Sequence, residues 1–368
     1  LKKVLIIFGT RPEAIKMAPI VKTLRQTEGF EVKTLVTHQH KEMLDQVLQV
    51  FGIIPDFDLN VMKPGQDLSD ITSAILLGCR ELFINYRPDI ALVHGDTTTA
   101  MASTLACFYN NIPVGHVEAG LRTNNIYSPY PEEFNRQLVS KLAKYHFAPT
   151  LKSKQNLLIE NVPEQNILVT GNSVIDALLL ACDILKDDQT IVHNLPVQIM
   201  KPFVLITGHR RENFGTTFEE ICLAIKDLAV KFSDHDFIYP VHLNPNVRLP
   251  VNKILSGIDN IKLIEPLSYL HFVYLMQKAS IILTDSGGIQ EEAPSLGVPV
   301  LVMRETTERP EAIESGSVFL VGSDRNKIFS ATAHFLSENK VTDKSKKMTN
   351  PYGDGTTALK IKDFLIKI

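Results

Sequence analysis

Short β-branched runs alternate along this chain with longer amphipathic segments, the pattern of successive strand–helix units around parallel sheets. The first run, Val4-Leu5-Ile6-Ile7-Phe8, ends at Gly9 and reads as a buried strand. Glu13 to Gln26 follows, with Ile15, Ala18, Ile20, Val21 and Leu24 on roughly one helical stripe. The basic start and apolar run have the outline of a leader peptide. The run is only about five residues, however, and passes into Gly-Thr-Arg-Pro-Glu instead of a small-residue cleavage site. Further strands are predicted at Val32–Thr37, Ile90–His94, Val114–Glu118 and Tyr145–Ala148.

The pattern restarts after Ile167-Leu168-Val169-Thr170-Gly171. New strands are predicted at Phe203–Thr207, Phe237–Val241, Ile261–Ile264, Ile281–Thr284, Pro299–Val302 and Val318–Val321. Residues 183–202 carry no strand pattern and read as a surface helix and loop. Two such series predict an α/β protein of two doubly wound domains, residues 1–170 and 171–352. Asn350-Pro351-Tyr352-Gly353-Asp354-Gly355 breaks the last helical stretch, so a final helix near Thr357–Lys367, within 353–368, is expected to cross back onto the first domain.

With 368 residues, 44% hydrophobic and 21% charged, the composition is that of a soluble two-domain protein. The chain has no uninterrupted apolar run of about 18 residues, so no membrane span is predicted. A net charge of −3 gives no electrostatic footprint for nucleic acid. Cys79, Cys107, Cys182 and Cys222 lie far apart with no metal-ligand spacing, which predicts unpaired, mostly buried thiols and a reducing, cytoplasmic setting.

Polar clusters stand at the carboxyl ends of the predicted strands, where open α/β sheets place their ligand crevice. Gly9-Thr10-Arg11-Pro12-Glu13 opens a helix with Pro in its first turn, and puts Arg11 and Lys16 near a positive helix terminus suited to a pyrophosphate. The plainer alternative is a pair of solvated surface cations. This turn has neither G-x-G-x-x-G nor a P-loop lysine, which argues against NAD and ATP enzymes. Asp96 in His94-Gly95-Asp96-Thr97, Glu118 in His116-Val117-Glu118 and Glu132 in Pro131-Glu132-Glu133 would share one crevice rim. Carboxylates crowded together supply both an acid and a base near neutral pH; solvated carboxylates, or a helix cap at Asp96, are the plain alternatives. In the second series, His209 stands beside Arg210 and Arg211 at a strand end. Asp285-Ser286-Gly287-Gly288 precedes Glu292, an arrangement that suits phosphate on backbone amides and ribose on a carboxylate, or equally a tight glycine turn with surface acids.

FGTRPEAIKMAP, VHGDTTTA, GHVEAGLRT, SPYPEEFNR, TGHRREN, PVHLNPNVR, TDSGGIQEEAPSLG, TTERPEA and NPYGDG occur in this order over nearly the whole chain. Together they closely resemble the bacterial, non-hydrolysing UDP-N-acetylglucosamine 2-epimerases. The resemblance implies two Rossmann-like domains facing a central cleft, as in one large class of nucleotide-sugar glycosyltransferases. It also implies a cytoplasmic homodimer, with UDP-N-acetylglucosamine and UDP as ligands and neither nicotinamide nor metal for the chemistry. Family catalytic positions fall on Asp96, Glu118, Glu132 and His209. Substrate contacts fall on Arg11, Lys16, Asp96, Glu118, Arg136, His209, Leu267, Phe272, Ser286, Gly287, Gly288, Glu292 and Arg309. Leu267 replaces a common Gln, and Tyr130 a common Trp. An activator site implied by the family would use Gln39, His40 and Gln66, while Glu42 and Gly65 depart from its pattern.

The activity implied is reversible C2 epimerisation to UDP-N-acetylmannosamine by elimination of UDP to 2-acetamidoglucal and re-addition, with Asp96 expected as the C2 base and His209 as a phosphate partner. The alternatives are a hydrolysing epimerase and a glycosyltransferase of the same fold.

Overall fold

The computed structural model describes residues 1–38, 41–307, 309–314, 316–337 and 350–368, the side chains of 41 and 42 excepted. The chain divides into two compact units, Leu1–Leu179 with Tyr352–Ile368, and Leu180–Pro351. The division falls inside the helix Ser173–Asp187, beyond the end of the last strand of the first series.

In the first unit the strands are β1 (Lys2–Phe8), β2 (Phe30–Val36), β3 (Phe57–Asp58), β4 (Ile90–His94), β5 (Val114–Val117), β6 (Tyr145–Ala148) and β7 (Ile167–Val169). They form one parallel sheet in the order β3-β2-β1-β4-β5-β6-β7. Successive side chains of a strand leave by opposite faces. Val4, Ile6 and Phe8 enter one core with Met17, Ile20 and Leu24, whereas Leu5 and Ile7 enter the other with Ile75, Cys79 and Cys107. A strand buried on both faces needs an unbroken apolar run, which is why β1 does not alternate. The helices that frame the candidate site are α1 (Arg11–Arg25), α2 (Thr98–Tyr109), α3 (Glu132–Leu142) and α4 (Ser173–Asp187).

The second unit repeats the plan. Strands β8 (Phe203–Thr207), β9 (Asp236–Pro240), β10 (Ile261–Ile264), β11 (Ile281–Thr284), β12 (Val300–Val302) and β13 (Val318–Leu320) form a parallel sheet ordered β10-β9-β8-β11-β12-β13. Helices α5 (Tyr269–Lys278) and α6 (Gly287–Glu292) follow β10 and β11. Each sheet therefore reverses its winding once, between β1 and β4 in the first unit and between β8 and β11 in the second. Such reversals leave the crevice in which doubly wound sheets bind ligands.

The final helix, α7 (Thr357–Lys367), belongs to the first unit. It buries Ala358, Ile361 and Leu365 against α1, and Phe364 sets its ring edge-on to Tyr145 and Phe147. Each fully buried aliphatic side chain contributes about 1.5–3 kcal/mol. Asp176 of α4 accepts from the backbone N–H of Ala358 at 2.8 Å, and Lys2 Nζ donates to the Leu365 carbonyl at 2.6 Å.

The predicted strands recur in the structure with ends displaced by at most two residues. The two-residue β3 went unpredicted because it is too short for any periodicity to register. Residues 190–193 form a short helix and 183–202 contain no strand. All four cysteines are buried and unpaired, and burial pushes the Cys79 thiol up to about 12. No helix among the described residues is long and apolar enough to cross a membrane.

Gly9 ends β1 where the backbone passes close to its neighbours. A Cβ there would lie 2.0 Å from Thr37 Oγ1 and 2.4 Å from Thr99 Oγ1, two hydroxyls that also contact each other at 2.9 Å. Gly9→Ala is expected to cost about 1–3 kcal/mol, the usual range for overpacking. A lowered midpoint for the first unit in urea unfolding checks this.

Candidate active site

The first unit builds its site around Glu13, a buried carboxylate at the start of α1. Its Oε2 accepts from Gly9 N at 3.0 Å and from Thr10 N and Thr10 Oγ1, both at 2.8 Å. Its Oε1 accepts from Thr97 Oγ1 at 2.6 Å, in the loop that follows β4. One carboxylate thus joins the two loops that flank the reversal of the sheet. Burial raises its pKa, against the lowering effect of these hydrogen bonds.

Asp96 and Glu118 leave the adjacent strands β4 and β5, and each meets a cation. Arg136 of α3 pairs with Asp96, and Lys16 of α1 pairs with Glu118. Burial is the largest cause raising the Asp96 pKa; Arg136 opposes it, while the nearby charges of Glu118 and Glu132 add to it. A carboxylate lifted toward the working pH is a better general base than a solvated one. Glu132 is the first residue of α3, and its Oε2 is buried without a hydrogen-bond partner. Glu133, its neighbour, is fully buried and accepts from Thr123 N and Asn124 N at 3.0 and 3.2 Å, which pins the loop leading to Glu132. Asn135 Nδ2 donates to the Asp96 carbonyl at 2.9 Å and fixes that loop from the same helix.

Glu118 has a φ of 64°, in the left-handed region. For a residue without an Asx side chain this conformation costs about 1–3 kcal/mol and is found mainly at functional sites. Its Oε1 also accepts from Asn172 Nδ2 at 2.9 Å, and its Oε2 lies 3.5 Å from His94 Nε2. His94 is buried, and desolvation holds its pKa down at about 4, so it faces Glu118 as a neutral ring. Next to it, His116 Nε2 donates to the Gly95 carbonyl at 2.8 Å; burial brings His116 to about 3.

The second unit holds a separate cluster at its own sheet reversal. Asp285, fully buried after β11, accepts on Oδ2 from His209 N at 2.9 Å and Arg210 N at 2.8 Å, in the loop after β8. Its Oδ1 lies 3.4 Å from His209 Nδ1. The His209 ring stacks on His242, with centroids 5.5 Å apart, and is 40% exposed. Burial is the main cause lowering its pKa; Arg210 and His242 add to that and Asp285 opposes it. Arg309 crosses the backbone of Gly287, where a Cβ would lie 3.1 Å from its guanidinium carbon, and its Nε donates to Glu291 at 2.9 Å. A side chain there would press on the guanidinium and push it back by a few tenths of an ångström. One turn on, Glu292 Oε1 accepts from Tyr269 Oη at 3.3 Å. A cation, a bare backbone and a carboxylate in this order suit a phosphate followed by a sugar hydroxyl.

The family model described as UDP-N-acetylglucosamine 2-epimerase matches residues 22–366. The chain belongs to the UDP-N-acetylglucosamine 2-epimerase family. It is 57% identical over 364 residues to the enzyme of that name from Yersinia pestis, covering 98% of this chain and 97% of that one. It is 55% identical over 368 residues to the enzyme of Escherichia coli strain K12, at 99% and 98% coverage. The crystal structure of UDP-GlcNAc 2-epimerase from Neisseria meningitidis bound to UDP-GlcNAc is similar over the full length of both chains, with 50% identity and a TM-score of 0.91.

Within this epimerase, the structure brings Lys16, Asp96, Glu118, Glu132 and Arg136 together in the first unit, and Arg11 opens α1, the helix that carries Lys16. In the second it groups Gly287 with Arg309, while Ser286, Gly288 and Glu292 belong to the same turn. Leu267 stands in the loop before α5, and the partly exposed Phe272 lies on that helix. Of the expected activator residues, Gln39 and His40 lie outside the described residues. Gln66 sits in a loop where its Oε1 accepts from Lys63 N. Sequence reasoning overlooked Glu13, Asn135, Asn172 and Asp285. All but Asn172 stand inside strings already singled out, but nothing in a string marks a side chain as a brace and not a reagent.

The buried histidines of this epimerase contribute a loss of stability in acid. An unfolded histidine gains its proton near 6.5, whereas His94 and His146 wait until about 4 and His116 until about 3. Below 6.5 the unfolded chain binds more protons, so stability is lost as pH falls from about 6.5 toward 4. Thermal midpoints measured across that range should drop, and His116→Asn should flatten the slope.

Proposed function

We propose that this epimerase interconverts UDP-N-acetylglucosamine and UDP-N-acetylmannosamine with no release of free sugar, by eliminating UDP to 2-acetamidoglucal and adding it back. The observation that carries the reading is the grouping of Asp96, Glu118 and Glu132, with a cation against each of the first two. The C2 hydrogen of this sugar is not acidified by a carbonyl, so direct deprotonation is very slow. Elimination avoids the problem. The C1–O bond to UDP breaks with its electron pair going to the diphosphate, C2 loses its proton to a carboxylate, and a C1=C2 double bond forms. In the return step the diphosphate oxygen attacks C1 while C2 takes a proton on its opposite face.

Asp96 is assigned as the C2 base, on the strength of its raised pKa. Glu118 and Glu132 stabilise positive charge at C1 and the ring oxygen and carry the second proton. Arg309, Ser286, Gly287 and Gly288 hold the diphosphate, with His209 as a further donor, and Glu292 takes the ribose hydroxyls. Arg11, Lys16 and Arg136 add cationic charge for the departing UDP, and Leu267 and Phe272 stand on the uracil side. Support for the ligand comes from the Neisseria relative, whose structure is bound to UDP-GlcNAc.

Turnover in deuterated water followed by proton NMR tests the mechanism. Product nucleotide sugar should carry deuterium at C2 alone. An inverted product with a fully protonated C2 would overturn the elimination route. Stoichiometric free N-acetylmannosamine and UDP would make the enzyme hydrolysing, and an untouched C2–H with transfer at C1 would make it a glycosyltransferase.

Asp96→Asn, Glu118→Gln and Glu132→Gln should each lower kcat by about 10²–10⁴-fold, the usual contribution of a general acid or base. Circular dichroism should show each variant folded. Near-normal turnover would remove that residue from the mechanism.

A further inference from the structure

Asn172 follows β7 and opens α4, and it is buried, with 3% of its surface exposed. Its backbone N–H, Oδ1 and Nδ2 each bond to a different segment. Its backbone N–H donates to the Tyr352 carbonyl at 2.6 Å, where the chain returns to the first unit. Its side-chain Oδ1 accepts from Val174 N at 3.0 Å, a helix-capping bond on the first turn of α4. Its side-chain Nδ2 donates to Glu118 Oε1 at 2.9 Å. With Oδ1 held at Val174 N and Nδ2 at Glu118, the amide plane is anchored at both ends.

Glu118 needs such a brace. Its backbone is in the left-handed region, so its side chain leaves the strand end in an uncommon direction. Groups facing its carboxylate include Lys16 from α1, His94 from β4, Asp96 from the neighbouring loop and Asn172 from the loop after β7. The lysine ammonium is a point charge on a flexible stem, and attracts a carboxylate without dictating its rotation. His94 is neutral. The amide of Asn172 is the planar donor with both ends anchored.

We infer that Asn172 is a positioning residue for Glu118: its amide sets the rotation of the carboxylate, and its cap and its bond to Tyr352 tie that rotation to α4 and the returning segment. The inference rests on the assignment of Glu118 to the reaction. It assigns Asn172 no contact with substrate. Misplacing a reacting group by about 1 Å costs on the order of 10²-fold, so loss of the brace should appear in turnover and not in binding.

Two substitutions separate this role from plain helix capping. Serine and aspartate are both good capping residues that can accept from Val174 N, and neither can donate to Glu118 from the Asn172 position as the amide does. In Asn172→Ser, the thermal midpoint and KM for UDP-N-acetylglucosamine should stay near wild type while kcat falls about 10-fold or more. Asn172→Asp should fall at least as far, since it sets a second carboxylate against Glu118. Asn172→Ala, which loses cap and donor, should lower both kcat and the midpoint. Should the buried charge stop Asn172→Asp from folding, the serine variant decides alone. Wild-type kcat in Asn172→Ser would overturn the inference and reduce Asn172 to a cap. A fall in kcat with a proportionate rise in KM would also overturn it, because a rotated Glu118 carboxylate should show in turnover and not in binding. Glu118→Gln is measured alongside. Near-normal turnover there would sink the role of Glu118 itself, a failure distinct from a braced and active Glu118 that ignores Asn172.

Discussion

A buried carboxylate at the reversal of a parallel sheet is the constraint on which the first unit depends. Glu13 gains nothing from water, so its charge must be met by donors, and those donors are the backbone of Gly9 and Thr10 and the hydroxyls of Thr10 and Thr97. Sheet hydrogen bonds hold β1 and β4 side by side but say nothing about the loops beyond their ends. Glu13 supplies that missing bond. Asp96 stands immediately before Thr97, so the position of the expected base is inherited from a residue with no chemical part in the reaction.

The electrostatics of the site follow from crowding. Two carboxylates at adjacent strand ends would repel each other, and Arg136 and Lys16 offset that repulsion one to one. The compensation is incomplete for Asp96, whose burial and acidic neighbours outweigh its arginine. Full neutralisation would give a stable, inert ion pair; incomplete neutralisation keeps a carboxylate able to exchange protons. The neutral state of His94 belongs to the same balance, since a second cation there would draw Glu118 away from Lys16. The second unit solves a related problem with Asp285, whose single buried carboxylate orders two consecutive amides.

Much of this was legible in the sequence, for identifiable reasons. Strands such as Ile90–His94, Phe203–Thr207 and Ile281–Thr284, and the helix Thr357–Lys367, lie where their apolar patterns put them, because strands buried on both faces leave little room for other patterns. That Asp96 and Glu118 should neighbour each other followed from their standing at successive strand ends. Their partners were not legible. Lys16 and Asn172 reach Glu118 across 102 and 54 residues, and periodicity contains no information on such pairings. The left-handed backbone of Glu118 was hidden for another reason: Glu carries no local signature of that conformation, as Gly or Asn would.

That backbone has a consequence for how this protein changes over time. Glycine at position 118 would relieve the strain, and asparagine would tolerate the same turn, so the fold alone favours their arrival. On the proposed mechanism, only the reaction keeps glutamate in place. A lineage released from selection on activity would be expected to drift there early, gaining heat tolerance as it lost its chemistry. The residue at 118 is thus a marker by which decayed copies of such a gene could be told from working ones.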